Sequence, residues 1–67
     1  MDDERLLALS DALDRLGKED SLVAEIVKLR YFAGLTIEQA AEATHVSVRT
    51  ANRHWFYAKA WLFENLR

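Results

Sequence analysis

The 67-residue chain has no cysteine, no proline, two glycines and no apolar run near the roughly 18 residues of a membrane span. Without cysteine there is no disulfide framework and no thiolate metal site, and a reducing compartment suits the composition. Without proline no helix is interrupted from within. The two histidines, His45 and His54, stand nine positions apart with no acids placed beside them, so neither a metal nor a cofactor is expected. The opening Met1-Asp2-Asp3-Glu4 is the wrong start for a signal peptide, and a soluble, cytoplasmic protein without membrane contact is expected. Enzyme chemistry also lacks its parts. No paired-carboxylate pocket, no nucleophile beside a base and no Gly-rich phosphate loop can be read, so no catalysis is expected.

What is present is globular: 51% of residues are hydrophobic and 30% charged. A chain this short makes one small domain, expected over 1–67, with a core of few layers and marginal stability. Its net charge of −2 argues at first against nucleic acid, but the charge is split along the chain. Residues 1–44 hold ten acids against five bases, a net of −5, whereas residues 45–67 hold four bases against Glu64 alone, a net of +3. A domain polarised in this way can turn a basic face to phosphate.

Helical spacing dominates, and no segment alternates as a strand would. Leu6, Leu9, Leu13 and Leu16 form the apolar stripe of a first helix over about 3–16, with Gly17 as its C-terminal cap. Asp11/Arg15 and Asp14/Lys18 support it as i,i+4 pairs with the acid first. Asp20 or Ser21 can cap a second helix over about 20–32, whose wide stripe of Leu22, Val23, Ile26, Val27, Leu29 and Phe32 marks it as central. Gly34 ends it. Thr36-Ile37-Glu38-Gln39 reads as a capping box that opens a short helix over about 37–43, and its Ala40/Ala41 face is small enough for another helix to approach closely. After a tight turn at Thr44-His45-Val46, Ser47 caps a fourth helix over about 48–65. The expected fold is all-α: a small four-helix domain with a C-terminal helix-turn-helix.

The stretch LRYFAGLTIEQAAEATHVSVRTANRHWFYAKAWL, residues 29 to 62, resembles region four of bacterial sigma factors of the extracytoplasmic-function group. The run R-x-W-x-x-A-x-A-W-L (Arg53, Trp55, Ala58, Ala60, Trp61, Leu62) carries the resemblance, with GLT-x-E-Q-A-A from Gly34 and VS-x-R-T from Val46. The resemblance is strong over half the chain and looser over the first two helices. It implies a domain that binds the minus-35 promoter element and docks on the RNA polymerase core, with an anti-sigma factor as a further candidate partner. A monomer is expected. In two places the chain departs from the family pattern: His45 stands where the turn usually has Gly, and Val48 where a Pro commonly opens the recognition helix. A full sigma factor also carries a region-two domain that melts the promoter, so an excised domain or a standalone descendant is expected.

At about 100° per residue, Val48, Ala51, Trp55, Ala58 and Leu62 share one face of the fourth helix. Arg49, Arg53, Phe56, Tyr57 and Ala60 cluster on the other, with Thr50 at its edge. Trp55 is therefore expected in the core against Ala40 and Ala41, while Phe56 and Tyr57 stay outside beside two arginines. Such a stripe suits a major groove, with guanidinium groups reaching guanine edges or phosphates and rings meeting thymine methyls or sugars. The expected DNA-binding residues are Arg49, Thr50, Asn52, Arg53, Phe56 and Tyr57, with Asn52 included because the matching family position contributes to DNA contact. Thr36, at a helix N-terminus that attracts anions, and Lys59 are candidate phosphate contacts.

Other uses stand beside these. Phe56 can pack on the first helix, Tyr57 can be a half-buried rim residue, and Arg49 and Arg53 can be solvated charges. Trp61 either packs on another helix or meets the polymerase or a regulator. Arg30 either bridges to Glu38 or Glu42 or touches the nucleic-acid backbone. A LuxR-type helix-turn-helix regulator shares the LT-x-x-x-A-A…VS-x-x-T frame, and a protein-interaction module holding an anti-sigma factor fits the acidic N-terminal part.

Overall fold

A computed structural model describes residues 3–66. Four α-helices follow one another: α1 (Asp3–Glu19), α2 (Ser21–Tyr31), α3 (Ile37–Thr44) and α4 (Val48–Asn65), and no strand occurs among the described residues. α2 is central, packing against each of the other three, while α3 and α4 pack on each other.

Gly17 does not stop α1. The helix runs through it to Glu19, and the break falls at Asp20 because that residue closes one helix and opens the next. The Asp20 amide donates to the Leu16 carbonyl at 2.7 Å, and its carboxylate accepts from the amides of Leu22 and Val23, each at 3.2 Å. A carboxylate at the N-cap satisfies orphan amides and meets the positive end of the helix dipole. Gly17 is an ordinary helical residue: a Cβ there would stand 3.7 Å from the Ala24 Cβ, a normal van der Waals contact, so neither the backbone nor the packing requires glycine. Gly34 does mark the end of α2, three residues past Tyr31, with φ +71 and the Leu35 amide reaching back to the Leu29 carbonyl at 3.0 Å.

The capping box of α3 is formed: the Thr36 hydroxyl accepts from the Gln39 amide at 3.1 Å, and Gln39 Oε1 accepts from the Thr36 amide at 2.9 Å. The helix then ends in a Schellman turn. The His45 amide donates to the Glu42 carbonyl at 3.2 Å and the Val46 amide to the Ala41 carbonyl at 3.0 Å. His45 sits at φ 60, ψ 40, the left-handed conformation that Gly usually supplies, as its place in the family pattern implied. Val46 packs back onto the core, so the turn is held by hydrogen bonds and by an apolar contact together. Ser47 then caps α4, its Oγ accepting from the Thr50 amide at 3.1 Å.

The core has two parts. Ala12, Leu13, Leu16, Val23, Ala24, Val27, Ala58 and Leu62 join α1, α2 and the C-terminal half of α4. Ile26, Ala40, Ala41 and Ala51 join α2, α3 and the N-terminal half of α4. Trp55 packs against both, so it joins the small alanine face as the spacing predicts, but it is half-buried and not enclosed. Three other apolar positions leave their expected stripes. Leu6, Phe32 and Val48 are exposed, because each lies in the first or last turn of its helix or just beyond it, where no neighbouring helix extends to cover it.

Gly17→Ala is expected to stabilise the domain by about 0.5–1 kcal/mol, because Ala costs less backbone entropy inside a helix and its methyl has room against Ala24. A glycine acting as a left-handed cap would give the opposite sign in a urea titration. Trp55→Ala is expected to lower the thermal transition seen by circular dichroism sharply. Truncating a fully buried Trp costs about 3–5 kcal/mol. Half-buried Trp55 lies at or below the lower end of that range, still a large share of the roughly 3–10 kcal/mol available to a domain of this length. An unchanged transition would remove Trp55 from its place between the two clusters.

Candidate nucleic-acid interface

α4 carries the candidate surface, and its orientation is set from the inside. Ala51, Ala58 and Leu62 are buried along one edge, with Trp55 half-buried between them. Small alanines let α4 lie close to α3 and α2, and that closeness turns the opposite edge outward. Arg49, Arg53, Phe56 and Tyr57 are all exposed there. Thr50 and Asn52 are half-buried at the two margins of this stripe. At 65% exposure Phe56 does not pack on α1, and Tyr57 at 52% is more open than a rim residue. The Thr50 Oγ1 accepts a hydrogen bond from the Ser47 hydroxyl at 3.0 Å, which leaves its own hydroxyl proton to donate outward.

A cluster of rings and cations lies along one flank of α4. The Arg30 guanidinium stands 5.0 Å from the Trp55 ring centroid, and Tyr31 packs on the same indole at 5.5 Å and 49°. Arg30 Nη1 also donates to the Leu35 carbonyl at 2.9 Å, while its Nε is buried without a partner. Arg30 therefore braces the α2–α3 connection against Trp55, in place of the bridge to Glu38 or Glu42 read from the sequence. The Lys59 ammonium lies 4.8 Å from the Phe56 centroid and 5.7 Å from that of Trp55. Lys59 stands at i+4 from Trp55 and i+3 from Phe56, a spacing that places the three together, but from the sequence Lys59 stood out only as a phosphate contact. The contributions of Arg30 and Tyr31 come from another helix and leave no local signal.

Trp61 faces α1. Its Nε1 donates to Glu19 Oε2 at 2.8 Å, the Arg15 guanidinium sits 5.7 Å from its ring, and the indole packs on the first core cluster. Its amphipathic ring suits that place, with an apolar body on the core and a polar edge at the surface. At Thr36 the hydroxyl and amide are both engaged in the capping box, and Glu38 in the first turn of α3 opposes an anion. Capping uses the Thr36 amide and the acceptor side of its hydroxyl, which leaves only the hydroxyl proton to donate. No group of three or more His, Asp or Glu is placed to hold a metal ion among the described residues, and no described helix is long and apolar enough to cross a membrane.

A short capped helix, a left-handed turn and a longer helix with a cationic, aromatic outer stripe define a helix-turn-helix DNA-binding domain. A family model described as ECF sigma factor matches residues 1–67, and the chain belongs to that family. Neither a curated protein nor a solved structure matches it. Membership brings a DNA-binding role in bacterial transcription initiation, in a family of non-enzymatic transcription factors whose partners are promoter DNA and RNA polymerase. The LuxR-type alternative gives way to this match.

Arg53→Ala is expected to leave thermal stability within about 0.5 kcal/mol of the parent, since an exposed side chain away from the core is removed. A fall in melting temperature as large as that of a core truncation would place Arg53 in the packing and not on the outer stripe.

Proposed function

We propose that the chain is a region-four domain that reads the minus-35 promoter element through α4 and docks on the RNA polymerase core. The observation that carries this reading is the exposed stripe of Arg49, Arg53, Phe56 and Tyr57 on a helix capped by Ser47 and held against α3 by alanines. In the major groove, Arg53 at the middle of the stripe makes a bidentate contact with a guanine edge, and Arg49 meets phosphate. Phe56 and Tyr57 meet thymine methyls and sugars, and Thr50 and Asn52 hydrogen-bond at the margins. The domain acts as a monomer.

Protein docking uses a different surface. Ala8, Leu9, Tyr31, Leu62 and Leu66 line an apolar groove between α1 and the end of α4, with Arg5 at its edge. Leu6, Phe32 and Phe63 also remain exposed. So much apolar area on a small domain favours a protein partner. The polymerase core takes this surface during initiation, and an anti-sigma factor competes for it.

The DNA reading is tested by fluorescence anisotropy with a duplex selected from a random pool and a scrambled duplex of equal composition. Arg49 on phosphate, with Arg53 adding its charge in the groove, gives a slope of about −1 to −2 for log K against log salt. Arg53→Ala removes about 1–3 kcal/mol of preference for the selected duplex if it reads a base, and Phe56→Ala weakens selected binding without altering the slope. A slope near zero, or no change in either variant, moves the function to the protein-docking surface alone.

A further inference from the structure

Phe56 is largely exposed, so the core does not choose its rotamer. An exposed ring that samples several rotamers must be ordered on binding, which weakens association. Lys59 supplies an ordering contact. Its ammonium lies within the ~6 Å range of cation–π attraction of both Phe56, at 4.8 Å, and Trp55, at 5.7 Å. Trp55 is itself held by Arg30 at 5.0 Å and Tyr31 at 5.5 Å and packs on both core clusters. A continuous series of contacts therefore runs from the core through Trp55 and Lys59 to the ring of Phe56. Around the helix axis, Lys59 stands about 120° from Arg53. It sits on the flank of the stripe beside Phe56, away from the line of the arginines.

We infer that Lys59 is a positioning residue: it sets the Phe56 ring for base contact and does not anchor a phosphate, as its charge alone had suggested. The inference rests on the reading of α4 as the DNA-contacting helix. A phosphate anchor and a positioning residue leave different signatures. Loss of the first removes a counterion term on any duplex, whatever its sequence, whereas the second acts only through Phe56 and only on the preferred sequence.

The test uses the 67-residue chain with the selected and scrambled duplexes. Lys59→Met keeps the apolar stem and removes the charge, and Lys59→Arg keeps a cation. Lys59→Met is expected to lose about two- to fivefold of the preference for the selected duplex, the range of an exposed cation–π contact. Lys59→Arg keeps the preference, and the salt slope is unchanged in both. In a Phe56→Ala background Lys59→Met has no further effect, because the residue it acts through is gone. In the free protein, ring currents shift the Lys59 ε-methylene protons upfield in NMR spectra, and Phe56→Ala relieves part of that shift. A slope reduced by about 0.9 with a loss that persists without Phe56 makes Lys59 a phosphate anchor and overturns the inference. Unchanged preference in Lys59→Met, or methylene shifts indifferent to Phe56→Ala, overturns it as well. If selection from the random pool enriches no sequence, the DNA reading of α4 fails and this inference falls with it. Wild-type enrichment with any of the other contrary results removes only the role of Lys59.

Discussion

Trp55 touches both parts of the core, and the rest of the domain is arranged around that contact. One part of the core joins α1 to α2 and the end of α4, and the other joins α3 to α2 and the start of α4. An indole is large enough to pack on both, and α4 supplies only small residues, Ala51 and Ala58, on either side of it. The alanines on α3 answer the same need, since Ala40 and Ala41 leave the space the ring occupies. Because the domain is small, little else can compensate for a gap there. The rotation of α4 about its own axis is thereby set, and with it which side chains face outward.

The second constraint is the turn between α3 and α4. The Schellman hydrogen bonds from His45 and Val46 terminate α3, and the Ser47 cap begins α4 two residues later. His45 holds a left-handed backbone that costs a side-chain-bearing residue roughly 1–2 kcal/mol relative to Gly. The packing of Val46 and the hydroxyl of Thr44, which donates to the Ala40 carbonyl at 2.8 Å, hold the chain in that conformation. Val48 begins α4 without the fixed φ that a proline would bring, so the direction of the helix depends on Ser47 and on the packing behind it.

Charge divides the surface in a way that net charge conceals. The cations of α4 lie on its outer stripe and flank, while the acids of α1 lie in the part of the chain that packs through Trp61 and Glu19. Arg15 and Arg30, which counted only as charges in composition, are each placed over an indole. Those contacts hold the two indoles in place, while the guanidinium charges themselves remain. The proposed DNA surface depends on very few residues, chiefly Arg49 and Arg53.

The four helices were legible in the sequence because local patterns specify them: leucine spacing for α1, the Thr36–Gln39 box for α3 and Ser47 for α4. The outward stripe was legible too, because helical periodicity alone sorts Arg49, Arg53, Phe56 and Tyr57 from Ala51, Ala58 and Leu62. Gly17 misled, since glycine marks a helix end only when the backbone turns left-handed, and the Asp20 cap made a later break cheaper. Leu6, Phe32 and Val48 misled because periodicity says which way a residue faces but not whether another helix reaches that far. What the sequence determined by itself was the identity of the elements and the outer face of α4, both consequences of short-range geometry. Only the tertiary structure decided that Trp55 stays half-open under Arg30 and Tyr31, that Trp61 meets Glu19, and which apolar positions go uncovered. Those outcomes depend on where separate helices end relative to one another, and no local pattern encodes that distance.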